Sequence, residues 1–161
     1  MADDAVLIDT NVLLSATTLA RVLHRQALTA LADWPQQGIP LWVSGQVLRE
    51  YLVVATRPAD VNGLGLKVED ALANVGQFRR RLRLLGERVV VFDHLEGLVR
   101  DVGCQGKRIH DANLVATAQV HGAGRILTAN VSDFRGFAAY VEILDLAEVE
   151  LASAAELDDA G

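Results

Sequence analysis

The sequence predicts an α/β fold with a mostly parallel central sheet, and two observations support this. Short apolar runs rich in Val, Ile and Leu are typical of parallel strands that are covered on both faces. Helical periodicity lies between these runs, and strands that alternate with helices indicate an α/β sandwich. The predicted strands are AVLI (5–8), PLWV (40–43), RVVVF (88–92), RILT (125–128) and YVEIL (140–144).

Helical stretches separate several of the strands. Each carries apolar residues at the i, i+3, i+4, i+7 spacing that places them on one helix face. The segment RPADVNGLGLK (57–67) contains Pro and Gly and is predicted to be a loop. We expect one domain over 1–147, followed by an acidic, partly flexible tail over 148–161. The predicted helices span 45–56, 68–85 and 110–121.

Length and composition restrict the class of protein. A chain of 161 residues fits one domain with a proper core, and 51% apolar residues with a mean hydropathy of +0.23 argue against disorder. The net charge of −6 makes nucleic-acid binding a poor first choice, unless the acids are gathered in one place. The lone Cys104, an N-terminus without signal-peptide character and the lack of a membrane-length apolar run favour a cytoplasmic protein without membrane contact.

Acidic residues stand where ligands bind in such folds, beyond the carboxyl ends of the strands. Asp9 directly follows the first predicted strand, and Asn130 and Asp133 follow the fourth. Glu50 lies on the helix after the second strand, and Asp111 opens the helix before the fourth. A buried carboxylate is costly unless it is paired, hydrogen-bonded or bound to a metal. The simplest alternative for Asp9 is a helix cap.

The other acids also have simpler explanations when each is taken alone. Asp111 could cap its helix, since Asp is a leading cap residue. Asp133 could lie in the first turn of a short helix, where an acid is stabilised by the helix dipole. Glu50 could pair with Arg49 or Arg57 at the surface, which would contribute little stability.

Taken together, the four acids predict a metal site. Carboxylates from four separate segments would repel each other at one end of the sheet, and some would stay protonated. Divalent cations remove this conflict, and a set of oxygen ligands suits Mg²⁺ or Mn²⁺. Such acid clusters typically serve phosphate chemistry, in which the metal activates water and neutralises the phosphate charge.

Four short motifs carry a resemblance to a known family. LIDTNVLL, Glu50 within SGQVLREY, HDANLVATA (110–118) and LTANVSDF (127–134) resemble the PIN-domain nucleases, in particular VapC-type toxins of bacterial type II toxin–antitoxin pairs. The resemblance runs from about residue 5 to about residue 145. It implies a three-layer α/β/α sandwich with a central five-stranded sheet and the first strand in the middle. The segment 57–87 corresponds to the variable part of the family.

The resemblance also implies an activity and a set of site residues. The activity is Mg²⁺- or Mn²⁺-dependent hydrolysis of RNA phosphodiester bonds, leaving a 3′-hydroxyl and a 5′-phosphate. The implied partners are an RNA substrate, a cognate antitoxin and a second copy of the chain. The implied catalytic and metal-binding acids are Asp9, Glu50, Asp111 and Asp133. The implied supporting polar residues, which orient carboxylates and phosphate, are Thr10, Asn11, Thr128 and Asn130.

Two further groups have weaker assignments. His110 adjoins Asp111 and could be a general acid or simply a residue at the helix start. If the four acids are left out of the count, 15 basic and 17 acidic residues remain, and the net charge is close to neutral. The basic residues could then bind an RNA backbone. A solvated helix face explains them equally well. The candidate RNA-binding residues are Arg79, Arg80, Arg81, Lys107 and Arg108.

Three other functions compete with the toxin. The first is a PIN nuclease of RNA processing or decay that has no antitoxin. The second is a phosphatase with an aspartyl nucleophile after the first strand, but that chemistry usually needs a second acid two residues on, where this chain has Asn11. The third is a binding module without activity, which would give four acids no reason to converge.

Overall fold

Strands and helices alternate along most of the chain. The computed structural model describes residues 4–151, so the predicted tail lies largely outside the described residues. Three short 3₁₀ helices follow α3, β4 and β5. The elements are β1 (Val6–Ile8), α1 (Thr10–Thr17), α2 (His24–Gln36), β2 (Leu41–Ser44), α3 (Gly45–Thr56), Ala59–Val61, α4 (Val68–Arg81), β3 (Arg83–Leu85), α5 (Val89–Val102), α6 (Arg108–His121), β4 (Arg125–Thr128), Val131–Phe137, β5 (Glu142–Asp145) and Leu146–Glu148.

One parallel sheet forms the centre of the molecule. Its strand order is β3-β2-β1-β4-β5, and every neighbouring pair is parallel. All three residues of β1 are fully buried, because helices cover both faces of the sheet. Helices α1 to α4 pack as one connected group, and α5 packs against α6. The predicted three-layer α/β/α sandwich, with five strands and the first in the middle, is confirmed.

The predicted strand over 88–92 is wrong. Residues 89–92 form the first turn of α5, in which Val91 is buried while Val89 and Phe92 are 82% and 60% exposed. The run of Val residues resembles a strand, but Val91, Leu95 and Leu98 continue at helical spacing and pack on the core. Packing of this stripe therefore overrides the β preference of the valines.

The third strand is instead Arg83–Leu85, which the predicted helix over 68–85 had included. Helix α4 ends at Arg81, and Leu82 already has an extended backbone with φ −113° and ψ 138°. Leu82 and Leu85 are both buried. Their separation of three residues is compatible with one face of a helix and also with the two buried ends of a short strand. Arg83 lies over the ring of Trp42 on β2, 5.0 Å from its centroid, and this contact helps to hold the short edge strand.

Helices α1 and α3 begin at the carboxyl ends of the central strands β1 and β2, so both helices start at the same edge of the sheet. Asp9 is the only residue between β1 and α1, and α3 begins immediately after Ser44 of β2. Ser44 caps α3 by accepting a hydrogen bond from the Val47 backbone N–H at 3.3 Å. Side chains from the first turns of both helices therefore stand at the same edge as the end of β4.

Candidate active site

Asp9 occupies the point at which β1 becomes α1. It is the N-cap of α1, and its Oδ1 accepts a hydrogen bond from the Thr10 backbone N–H at 2.8 Å. Its Oδ2 accepts from the Thr128 hydroxyl at 2.8 Å and from the Asn11 side-chain amide at 3.1 Å. The Asp9 carboxylate thus caps α1 and is itself oriented by three donors. The suggested cap role of Asp9 is correct.

Asn11 joins this cap to β4. Its Oδ1 accepts from the Ala129 backbone N–H at 2.9 Å, and its amide also contacts the Thr128 hydroxyl oxygen at 3.2 Å. The Asn130 backbone N–H donates to the same hydroxyl at 3.0 Å, while the Asn130 side chain is exposed. Thr128 and Asn11 therefore contact the Asp9 carboxylate directly, whereas Asn130 acts through its backbone.

Glu50 faces Asp9 across Thr10. Its Oε2 accepts from the Thr10 hydroxyl at 2.8 Å, and its Oε1 accepts from the Gln46 side-chain amide at 2.9 Å. The suggested surface pairs of Glu50 with arginine are not formed. Arg49 instead pairs with Glu87 at 3.2 Å. Thr10 thus orients two carboxylates, one through its backbone N–H and one through its hydroxyl.

Asp111 is not a helix cap. Helix α6 begins at Arg108, so Asp111 is one turn inside it and half-buried. The pKa of Asp111 is raised to about 7, first by desolvation on burial and then by the negative charges of Asp133, Asp9 and Glu50, in that order. Arg108 acts in the opposite direction. The repulsion shows that carboxylates from four segments act on one another across the same site.

Burial also raises the pKa of Asp9, and repulsion by Glu50 adds to this effect. Hydrogen bonds from Thr128, Thr10 and Asn11 oppose the rise because they stabilise the ionised form. Asp133 lies in the first turn of the 3₁₀ helix Val131–Phe137, as its alternative explanation suggested, and its side chain is exposed. The structure places it at the same cleft as Glu50 and Asp111.

The cleft has a volume of about 770 Å³. Glu50, Asp111 and Asp133 line it together with Thr10, the neighbour of Asp9. Three basic residues, here called the basic rim, line the same cleft, and His110 also lines it. The residues of the basic rim are Arg49, Arg57 and Lys107. A cleft lined by both acids and bases can hold a cation on its carboxylates and phosphates on its basic groups.

The donors suit a hard divalent cation, although no compact cage is formed. Within residues 4–151, no three His, Cys, Asp or Glu side chains are arranged so that they could hold a metal ion together. Mg²⁺ usually keeps several waters and binds through one or two carboxylates, so spaced oxygen donors are compatible with it. Mutual repulsion among the acids gives a cation a further reason to bind here.

The candidate RNA-binding residues do not all lie together. Lys107 lines the acidic cleft, and the Arg108 guanidinium lies 5.9 Å from the centroid of the Phe137 ring. The other three are exposed in the last turn of α4. Of these, Arg81 lines a different cavity, next to Phe78 of α4.

Sequence reasoning missed several residues of the cleft. Gln46 is 7% exposed and binds Glu50, and Asn113 donates to the Gln46 side-chain oxygen at 2.7 Å. Gln46 lies one helical turn before Glu50, a spacing that could have identified it. Arg49 and Arg57 were considered only as ion-pair partners, yet both line the cleft.

The part of the chain that the structure describes contains no helix with the length and apolarity needed to cross a bilayer.

No curated protein sequence matches the chain. Several solved structures share its fold. Part of a toxin–antitoxin complex from Klebsiella pneumoniae has 22% identity and a TM-score of 0.57, and covers 88% of this chain and 97% of its own.

Two other solved structures have a similar degree of likeness. The VapC20 toxin of Mycobacterium tuberculosis, described as cleaving the sarcin-ricin loop, has 18% identity and a TM-score of 0.59, covering 85% of this chain and 97% of its own. VapBC2 from Rickettsia felis, bound to a promoter DNA fragment, has 16% identity and a TM-score of 0.61, covering 88% and 98%. A family model described as the PIN domain matches residues 6–140. The predicted family is confirmed: this chain belongs to the PIN domain family.

Proposed function

We propose that this protein is a metal-dependent endoribonuclease and the toxin of a VapBC-type toxin–antitoxin system. It hydrolyses RNA phosphodiester bonds in the cytoplasm and is inhibited by a cognate antitoxin. The observation that carries the proposal is the convergence of Glu50, Asp111 and Asp133 on one cleft beside Asp9, with the pKa of Asp111 raised to about 7 by burial and by the charges of the other three acids. Concentrated acids in a PIN domain favour metal-assisted phosphate chemistry.

The four acids Asp9, Glu50, Asp111 and Asp133 are proposed to hold Mg²⁺ or Mn²⁺. Such an ion, when bound, lowers the pKa of water and neutralises charge on the phosphate. Asp9 has the central place, because donors from α1 and β4 fix both of its oxygens. Glu50 would position the attacking water and accept its proton. His110 lines the cleft and could protonate the leaving oxygen.

The phosphates on either side of the cut are proposed to bind the basic rim. Arg57 is the residue at the end of α3, and Lys107 immediately precedes α6, so the two basic groups come from different segments of the cleft wall. Contacts of this kind fix the register of a nucleic acid without reading its sequence. Arg79, Arg80, Arg81 and Arg108 stay a weaker prediction for contacts farther along the RNA.

Partner binding rests on fold likeness and on exposed apolar side chains. The Klebsiella structure is a toxin–antitoxin complex, which supports an antitoxin partner for this chain. Val89, Phe92 and Ile109 are exposed on α5 and α6, and Phe92 and Ile109 line one shallow cavity. Exposed apolar patches of this kind often mark interfaces, and we assign this one to a homodimer.

One experiment tests both parts of the proposal. The chain is expressed under an inducible promoter with and without the gene next to its own, and the 5′ ends of cellular RNA are sequenced. Specific 5′-phosphate ends that disappear when the neighbour is co-expressed support a toxin with an antitoxin. Cleavage that the neighbour leaves unchanged indicates a PIN nuclease of RNA processing or decay. Absence of new ends, together with inactivity of the purified chain with Mg²⁺ or Mn²⁺, rejects the nuclease.

A further inference from the structure

Gln46 is a buried polar side chain that connects two helices of the cleft. Its amide nitrogen donates to Glu50 Oε1 and to the His110 backbone carbonyl, both at 2.9 Å. Its side-chain oxygen accepts from the Asn113 amide at 2.7 Å. One side chain of α3 therefore contacts an acid of its own helix and the first two turns of α6.

The orientation of this amide is determined by its neighbours. Glu50 Oε1 and the His110 carbonyl are both acceptors, whereas the Asn113 amide nitrogen is a donor. The reversed amide of Gln46 would place oxygen against two acceptors and nitrogen against a donor. Among the common side chains of this length, only a primary amide supplies the two hydrogens and the one acceptor that this position requires.

These contacts determine where the Glu50 carboxylate lies. Its two oxygens each accept one hydrogen bond, from Thr10 on α1 and from Gln46 on α3. The second hydrogen of Gln46 binds the carbonyl of His110, the residue directly before Asp111. The amide thus relates the position of Glu50 to the backbone that carries Asp111.

We propose that Gln46 is a positioning residue that holds the Glu50 carboxylate in its reactive orientation and fixes it relative to the helix of Asp111. The inference rests on the proposed nuclease function, in which both acids serve the reaction. Groups that orient metal-binding or catalytic carboxylates commonly change activity by about 10- to 100-fold when they are removed. A purely structural amide would change stability without such a selective effect.

Tyr51 provides a matched control for the structural explanation. It is the residue after Glu50, is fully buried, and its hydroxyl bonds to Thr17 of α1 at 2.9 Å and to Asn74 of α4 at 3.1 Å. Tyr51→Phe removes interhelical hydrogen bonds of the same helix without touching Glu50. Gln46→Met is close in shape to the original side chain but supplies no donor.

The experiment measures kcat and KM for RNA cleavage and Tm in chelator for wild type, Gln46→Met, Tyr51→Phe, Glu50→Gln and the Gln46→Met/Glu50→Gln double variant. We expect Gln46→Met to lower kcat by about 10- to 100-fold with KM nearly unchanged. Tyr51→Phe should lower Tm with kcat unchanged. The double variant should be no slower than Glu50→Gln alone, because Gln46 acts through Glu50.

Equal losses of kcat in Gln46→Met and Tyr51→Phe, or an additive loss in the double variant, would overturn the proposal. If Gln46→Met does not fold, Gln46→Glu takes its place, since a carboxyl group can offer at most one donor. A crystal structure of the Gln46 variant gives a readout besides activity. Glu50 should leave its observed position, and an unchanged Glu50 contradicts the proposal even if wild type proves inactive and only the nuclease function fails.

Discussion

The two halves of the acidic cleft are built differently. Asp9 and Glu50 are held by hydrogen bonds from the backbone or side chains of Thr10, Thr128 and Gln46 at 2.8 to 2.9 Å. The pKa of Asp111 is raised to about 7 by burial and by the charges of the three other carboxylates, and the side chain of Asp133 is exposed. The half with Asp9 and Glu50, here called the fixed half, is held by these hydrogen bonds, whereas the half with Asp111 and Asp133, here called the charged half, is marked by repulsion among acids.

This difference suggests a division of labour. Donors that contact Asp9 stabilise its ionised form and offset only part of the effect of burial, which still raises its pKa, while they fix the direction of its two oxygens. Asp111 also gains from a nearby cation, because its pKa is raised by burial and by three negative charges, and a positive charge offsets that repulsion. We expect the fixed half to determine the chemistry and the charged half to determine the response to metal and pH.

The largest effect is expected from a change in the fixed half. Asp9→Asn should reduce RNA cleavage by about 1,000-fold or more, since it removes the central acid of the site. The variant should fold with a Tm close to that of wild type, because a neutral amide is cheaper to bury than a carboxylate. Cleavage assays and thermal unfolding measure the two quantities, and retained cleavage would remove Asp9 from the mechanism.

Metal addition should act on the charged half. Chelation by EDTA should stop cleavage, and Mn²⁺ at about 100 times its Kd should stabilise the fold by about 2.7 kcal/mol. For a domain of this size that corresponds to a rise in Tm of about 5 to 10 °C. The rise should be smaller in Asp111→Asn. A Tm that saturating Mn²⁺ leaves unchanged would argue against a metal site.

The basic rim should affect RNA binding more than the chemical step. Lys107→Ala should weaken RNA binding uniformly across sequences and reduce the slope of log K against log salt by about 0.7 to 1. Arg80→Ala, on the exposed end of α4, is the matched comparison. Binding to a non-cleaved RNA at several salt concentrations measures both. An equal loss for Arg80→Ala would support the predicted RNA contacts of α4 instead.

Asp111 predicts a pH dependence of stability in chelator. Its pKa is about 7 in the folded protein and 3.8 in its ordinary state, so the folded protein holds the extra proton between these values. Stability from this group is fully present below about pH 4 and is lost as the pH rises through 7. Asp111→Asn should therefore unfold a few degrees higher than wild type at pH 8, with the difference vanishing near pH 4. Tm measured across this range checks the sign.

The smallest effect should come from outside both halves. Glu87→Gln breaks the pair with Arg49, whose side chains are 37% and 66% exposed. Exposed pairs contribute about 0 to 1 kcal/mol, so Tm should fall by no more than about 4 °C. Cleavage should stay within about twofold of wild type. A larger loss of activity would show that Glu87 holds Arg49 in place at the cleft.

The sequence could place at one edge of the sheet those candidate acids that come soon after a strand. Asp9 is adjacent to β1 and Asp133 follows β4, so strand order alone brings them to one edge. The third strand could not be predicted, because Leu82 and Leu85 fit helical spacing and the edge strand has only three residues. Packing of Val91, Leu95 and Leu98 then turned a valine-rich run into helix.

Polar contacts over long sequence distances were beyond sequence reasoning. The bond from Asn113 to Gln46 joins residues 67 positions apart, and no local pattern indicates which amide will meet which. Buried amides depend on the final packing of helices, since each polar atom needs a partner at a particular place. Their chemical types were visible in the sequence, but their pairing required the fold.

The link between Asn11 and Ala129 has a consequence for synthesis of the chain. Asp9 receives its Thr128 donor from a residue 119 positions later, and Asn11 binds a backbone N–H 118 positions later. A nascent chain that ends before Arg125 lacks β4, the Thr128 donor and Asp133. Contacts of such long sequence separation form only after the intervening chain exists. During synthesis, therefore, the candidate site stays incomplete until nearly all of the described fold has left the ribosome.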